Sequence, residues 1–194
     1  DNVYVADMNN NRIQKFTNQG DFLLNWGEER NLENSLSGPR GLALDSLDNV
    51  YVVDKQEQIL VFNSDGKFLN SFGEEQKLNT PRGIDIDKQD RVYVADTGND
   101  KIVQFSHNGT YLNEFGKPGD KKGEFNNPTD ISIDSQGNIY VADEMNSRIQ
   151  KFDPSGKFIQ EWPSDKKGSS FPAGIHVNSN DNIFAVNTGN HNIV

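Results

Sequence analysis

The 194-residue chain contains no cysteine and only two methionines and two tryptophans. The missing cysteines exclude disulfides, thiolate metal ligands and a cysteine nucleophile together. They leave the compartment open, because a cysteine-free chain suits either redox environment. No apolar run approaches the ~18 residues of a membrane-spanning helix. Apolar residues reach only 33%, a share low enough to raise the question of disorder. Positive charge is also scarce: 19 Lys and Arg against 29 Asp and Glu leave a formal charge of −10. A field of that sign repels phosphate backbones, so general nucleic-acid binding is not expected. The G-x-S-x-G, H-E-x-x-H and P-loop motifs are missing too.

What the chain does have is repetition. "NVYVADMNNNRIQKF" from Asn2 to Phe16 returns as "NIYVADEMNSRIQKF" from Asn138 to Phe152. The aromatic of this phrase recurs at Tyr4, Tyr51, Tyr93, Tyr140 and Phe184, at spacings of 47, 42, 47 and 44 residues. A period of about 40–50 residues with strand-type content marks a propeller blade. Further aromatics stand at fixed offsets: Phe16, Phe62, Phe105 and Phe152, then Phe22, Phe68, Tyr111 and Phe158, then Trp26, Phe72, Phe115 and Trp162. A proline (Pro39, Pro81, Pro128, Pro172) precedes each following phrase aromatic by 12 residues. Nearly all length variation therefore falls in the connection just before that proline.

Each period divides into four short strands, a to d. Strand a reads "GLALD", "GIDID", "DISID" and "GIHVN", and strand b is a β-branched run such as "VYVAD" suited to burial on both faces. Strand c ("RIQKF", "QILVF", "KIVQF") leads into strand d ("FLLNW", "FLNSF", "YLNEF", "FIQEW"), whose polar gaps suit an outer position. The c–d turns "TNQG", "NSDG", "SHNG" and "DPSG" end in glycine, as short hairpins needing a positive φ do. The a–b turns are Asx-rich. Helical periodicity is absent. A lone four-stranded unit cannot cover both its faces, whereas radial stacking does. The fold expected is an all-β propeller, in one domain over residues 1–194, with units of about 1–38, 39–80, 81–127, 128–171 and 172–194.

The order "P-x-G-I-x-x-D", "G-N-x-Y-V-A-D-x-x-N-x-R-I-Q-x-F" and "G-x-F-x-x-x-F-G" resembles the NHL-repeat family along the whole chain. The signature positions are Asn10–Asn11–Arg12, Asn99–Asp100–Lys101, Asn146–Ser147–Arg148 and Asn190–His191–Asn192, none of which reads Asn-His-Leu in full. The second unit, "DKQEQILVF", is one residue short and lacks the Asn, so its b–c loop should differ. The resemblance implies a ring of six four-stranded blades. About four and a third repeats are present, from strand b of one blade to the start of strand c four blades later. That extent is expected of part of a larger ring, with open edges through which copies can associate.

Antiparallel strands put the a–b and c–d turns on one face and the b–c loops and d–a connections on the other. The second face carries the variable lengths and is the expected ligand surface. Within the repeated phrase, Asp7, Asp96 and Asp143 stand beside Arg12, Lys101 and Arg148; recurrence in nearly every blade makes these b–c loop residues structural. The expected ligand-binding residues are those where the repeats disagree. Arg40 and Arg82 follow the d–a prolines near the channel mouth, where the other units carry Thr129 and Ala173. The middle of strand a reads Ala43, Asp85, Ser132 and His176. Two arginines at a channel mouth suit a carboxylate or phosphate.

No catalytic residue is assigned, and neither cofactor nor metal is expected, since His107, His176 and His191 fall in different kinds of segment and a zinc site needs three or four converging ligands. Acids at Asp45, Asp48, Asp87 and Asp90 are read as turn caps rather than calcium ligands. Asn108-Gly109-Thr110 is a glycosylation sequon on an exposed turn and leans toward an extracytoplasmic location. The function expected is a non-catalytic binding or scaffold module for a protein or other macromolecule. The alternative is a propeller lyase or hydrolase working in the channel, which some propeller enzymes resembling this family do.

Overall fold

The computed structural model describes residues 2–28, 35–163, 171–188 and 192–193. Blade 1 comprises β1 (Val3–Asp7), β2 (Arg12–Phe16) and β3 (Phe22–Trp26). Blade 2 comprises β4 (Leu42–Leu44), β5 (Val50–Val53), β6 (Ile59–Phe62) and β7 (Phe68–Phe72). Blade 3 is β8 (Ile84–Ile86), β9 (Val92–Asp96), β10 (Lys101–Phe105) and β11 (Tyr111–Phe115). Blade 4 is β12 (Pro128–Ile133), β13 (Ile139–Asp143), β14 (Arg148–Phe152) and β15 (Phe158–Pro163), and blade 5 is β16 (Pro172–Val177), β17 (Ile183–Asn187) and β18 (Asn192–Ile193). Every sheet is an antiparallel meander in chain order. The inner strands β4, β8, β12 and β16 stand side by side. The fold is an all-β propeller of four-stranded blades, and no helix among the described residues is long and apolar enough to cross a membrane.

Chain order and register follow from the period-2 alternation of strand b. Tyr51 and Val53 face the following blade and pack with Ile84, Val92 and Val94, while Val50 and Val52 face the preceding blade and pack with Tyr4 and Ala6. The core therefore lies between blades, in four clusters, one per neighbouring pair. The same alternation leaves both end faces uncovered. Val3 and Val5 on β1 are 49% and 41% exposed, and Phe184 and Val186 on β17 are 43% and 46% exposed, whereas Val50 and Val52 are fully buried.

The fixed spacing of the aromatics has a packing cause. The last aromatic of strand d reaches the strand-c aromatic of the next blade: Phe72 meets Phe105 at 5.2 Å between centroids, and Phe115 meets Phe152 at 5.0 Å. The c–d turn glycine then lies over the same ring. A Cβ at Gly109 would come within 2.5 Å of Phe72, and one at Gly156 within 2.5 Å of Phe115. Both glycines also sit at positive φ, so only glycine fits.

The phrase tyrosines are tied to the a–b turns. Tyr51, Tyr93 and Tyr140 hydroxyls donate to Asp45, Asp87 and Asp134. Each of those acids also caps its own turn; Asp134 Oδ1 accepts the amides of Gln136 and Asn138. In three blades the b–c loop is a single 3-10 turn, at Met8–Asn10, Thr97–Asn99 and Glu144–Asn146. Blade 2 turns differently, with Glu57 at positive φ and Asp54 accepting the Gln56 amide. The signature positions at Asn190 and His191 lie outside the described residues.

Candidate functional site

The conserved geometry of strand b ends in a carboxylate, and its surroundings vary by blade. Asp143 is fully buried. It accepts the Asn126 amide at 2.8 Å, the Asn146 amide group at 2.9 Å, Arg148 Nε at 2.7 Å and Gln150 Nε2 at 3.0 Å. Asp96, also fully buried, accepts the Asn79 amide and the Asn99 side chain. Burial pushes both carboxyls above the ordinary aspartate range, and these hydrogen bonds pull against it. Asp7 is more exposed, and the Asn10 amide group and Arg12 hold its carboxyl below that range. Arg12 spans Asp7 and Glu28, and Lys101 pairs with Glu114 at 2.7 Å. Arg148 donates to Asp143, to Glu161 and to the carbonyls of Asp120, Lys121 and Glu124. Its donors are spent on its own blade and on the d–a connection that leads into it from blade 3, which they hold in place.

Arg40 and Arg82 stand in another environment. They line a cavity of about 380 Å³ at the start of the inner strands. Arg40 and Gly41 come from blade 2, Arg82 from blade 3, Thr129 and Asp130 from blade 4, and Ala173 from blade 5, with Met8 of the blade 1 loop alongside. The four residues that follow the d–a prolines thus meet in one place. Arg82 reaches Glu144 only at 3.9 Å, and that carboxylate already accepts the Asn127 side chain. Arg40 donates to the Thr80 carbonyl at a long 3.4 Å and makes no ion pair with any described residue. Burial, and then the positive charge of Arg82, depress its pKa.

Deeper in the channel, inner-strand side chains clip one blade to the next. Asp85 accepts its own neighbour Ile86 N and, across the blade gap, Ile133 N, both at 2.8 Å. Asp130 accepts Ile131 N at 3.0 Å and Ile175 N of blade 5 at 2.8 Å. The Ser132 hydroxyl accepts Val177 N at 3.0 Å. Burial pushes Asp85 and Asp130 up to about 6, against the pull of these amides. His176, the next position round the ring, is exposed. Asp85 and Ser132 therefore join a row of inter-blade contacts, which Asp130 connects to the wall of the arginine cavity.

Asp130 is the residue that sequence reasoning passed over. It occupies the place of Gly41, Gly83 and Gly174 in the other inner strands, and this single departure from glycine was the available signal. The bulges between Pro128 and Asp130 and between Pro172 and Gly174 were not legible either. They lengthen β12 and β16 toward the cavity. Among the described residues no three His, Asp or Glu side chains converge as metal ligands would.

The fold is shared widely among solved structures. Virginiamycin B lyase from Staphylococcus aureus superposes with a TM-score of 0.74 at 19% identity, covering 95% of this chain and 58% of that one. A streptogramin B lyase gives 0.76 at 17% identity, covering 100% and 64%. A chain of the nidogen/laminin complex gives 0.73 at 19%, covering 96% and 67%. The chain thus spans about three fifths of the length of the two lyases. At these identities the likeness establishes architecture alone. No curated protein sequence matches the chain. A family model described as "6-bladed beta-propeller" matches residues 73–192, which is more than half of the sequence. With its inter-blade cores, meandering four-stranded sheets and that match, the chain belongs to the 6-bladed beta-propeller family.

Proposed function

We propose that the chain is an NHL-type propeller segment acting as a non-catalytic binding module, which engages a protein or other macromolecule through the face of b–c loops and d–a connections. One observation carries the reading. Arg40 and Arg82 share a cavity on this face with their donors largely unspent, whereas Arg148 spends its own on its blade and the connection leading into it. Frame residues and contact residues thus separate by whether their polar groups are used. Asp7, Arg12, Asp96, Lys101, Asp143 and Arg148 belong to the frame, and Asp85, Ser132 and His176 line the channel below the contact site. The test is partner capture by the purified chain, comparing Met8→Glu, Arg40→Glu and Arg82→Glu with Lys88→Glu and Lys157→Glu on the opposite face. Loss confined to the first set supports the reading, and equal retention by both sets overturns it.

A second reading has two observations behind it. Burial pushes the Asp85 and Asp130 carboxyls in the channel up to about 6, a pKa range useful for proton transfer, and two structural neighbours are lyases. It requires turnover of a streptogramin B by the chain that is lost in Asp85→Asn. No turnover by the unaltered chain would end it.

A further inference from the structure

We propose that the cavity between Arg40 and Arg82 is a carboxylate-binding site. The inference rests on the binding reading above and names the chemistry that this face would recognise.

The charges around the cavity are unevenly matched. Arg82 has Glu144 within 3.9 Å. Asp130 lies on the wall, and each of its oxygens already accepts a backbone amide. Arg40 is left with one long contact to the Thr80 carbonyl. It is partly desolvated and faces a second guanidinium. Two like charges in a recess raise each other's energy, and an oxyanion placed between them relieves this while making charge-assisted hydrogen bonds.

The balance selects among oxyanions. A single negative charge matches the uncompensated Arg40. A phosphate dianion would set its second charge against Asp130 and Glu144. Gly41, Ala173 and Met8 provide apolar wall for a short stem behind the carboxylate, and about 380 Å³ is room for a small organic acid or one acidic side chain. Both sources present the same group, and the other blades show why the site is single. Where blades 2 and 3 carry arginine, blades 4 and 5 carry Thr129 and Ala173.

The experiment titrates the 194-residue chain with sodium butyrate, with N-acetylglutamate amide and with inorganic phosphate, at ionic strength held constant with chloride. NMR follows the amides of Gly41, Thr129 and Ala173 and the Nε–H signals of Arg40 and Arg82. Saturable shifts with butyrate or N-acetylglutamate amide are expected, and the tighter of the two identifies a free acid or an acidic side chain. Arg40→Gln should weaken binding tenfold or more. Arg40→Lys, which keeps the charge but loses the planar fork, should fall between. Lys88→Gln on the opposite face should change nothing. The proposal is overturned by failure of both carboxylates to saturate below about 50 mM, a limit weaker than the ~1 mM of a −4 kcal/mol contact, by tighter binding of phosphate, or by indifference to Arg40→Gln. Should carboxylates fail while face variants still abolish partner capture, the binding reading stands and this inference falls.

Discussion

Replacing Asp143 by alanine should destabilise the chain far more than replacing Asp7, although the two occupy the same place in nearly identical phrases. At Asp143 the carboxylate is fully buried and receives four kinds of donor: the Asn126 amide, Asn146, Arg148 and Gln150. Truncation takes the acceptor from one N–H of the fully buried Gln150, which keeps its bonds to Glu124 and Gly123, and removes the counter-charge of Arg148, whose side chain is only 11% exposed. Breaking one side of such a buried pair costs about 3–5 kcal/mol. With a urea m-value of about 2–3 kcal/mol/M, the midpoint should fall by roughly 1–2 M. Arg148 keeps Glu161 and three carbonyls, which argues for the lower half of that range. At Asp7 the donors are Asn10 and Arg12, in contact with water, and the loss should be a small fraction of that at Asp143. Asp143→Asn keeps an acceptor for the Asn126 amide but turns an NH₂ toward Arg148 and Gln150, so it should fall between wild type and alanine. The assay is equilibrium urea unfolding followed by tryptophan fluorescence and far-UV circular dichroism. Equal midpoint shifts for Asp7→Ala and Asp143→Ala would refute the reasoning, because the sequence phrase alone would then set the cost.

Other consequences concern pH, close packing and exposed edges. Asp85 and Asp130 have pKa values raised from 3.8 to about 6 in the folded chain, so the folded state binds protons more tightly than the unfolded one. Their contribution to stability should therefore rise as pH falls from about 7 to 4, by about 1–3 kcal/mol per group. Subtracting the double variant Asp85→Asn/Asp130→Asn from wild type across that range isolates the effect, and a flat difference would contradict it. Gly83→Ala would press a Cβ to 2.6 Å from the Asp130 backbone, whereas the nearest atom at Gly174 is 3.6 Å away. The first should cost about 1–3 kcal/mol and the second little, as thermal unfolding can show. The end faces bearing Val5 and Phe184 should promote concentration-dependent association of this chain, seen by sedimentation velocity and reduced by Val5→Lys and Phe184→Glu. Unchanged sedimentation in those variants would place the contacts elsewhere.

The architecture was legible in the sequence because a propeller writes its packing into fixed intervals. Tyr51, Phe62, Phe68 and Phe72 each touch a partner set by geometry, so insertions between them are not tolerated, and the spacing survives. Arg40 and Arg82 stood out in the sequence because the residue after the d–a proline differs from blade to blade; at that place in blade 4 the buried Thr129 instead donates its hydroxyl to the Pro172 carbonyl of blade 5. Two things escaped. The inner-strand bulges at Pro128 and Pro172 depend on how β12 and β16 meet their neighbours, which no local pattern encodes. The role of Asp130 depends on Ile175 N, 45 residues away in sequence. In the channel Asp85 spends its oxygens on backbone amides of β8 and β12, and against the upward push of burial the charge of the exposed His176 joins those amides in lowering its pKa.

The central claim is that the positions where the blades disagree, rather than the phrase they share, carry the binding. It is tested most directly by giving blades 2 and 3 the residues that blades 4 and 5 already hold. The double variant Arg40→Thr/Arg82→Ala should unfold at the urea midpoint of the unaltered chain, because neither arginine is part of the inter-blade core, and should lose carboxylate binding in the NMR titration. Retained binding in this variant would contradict the claim.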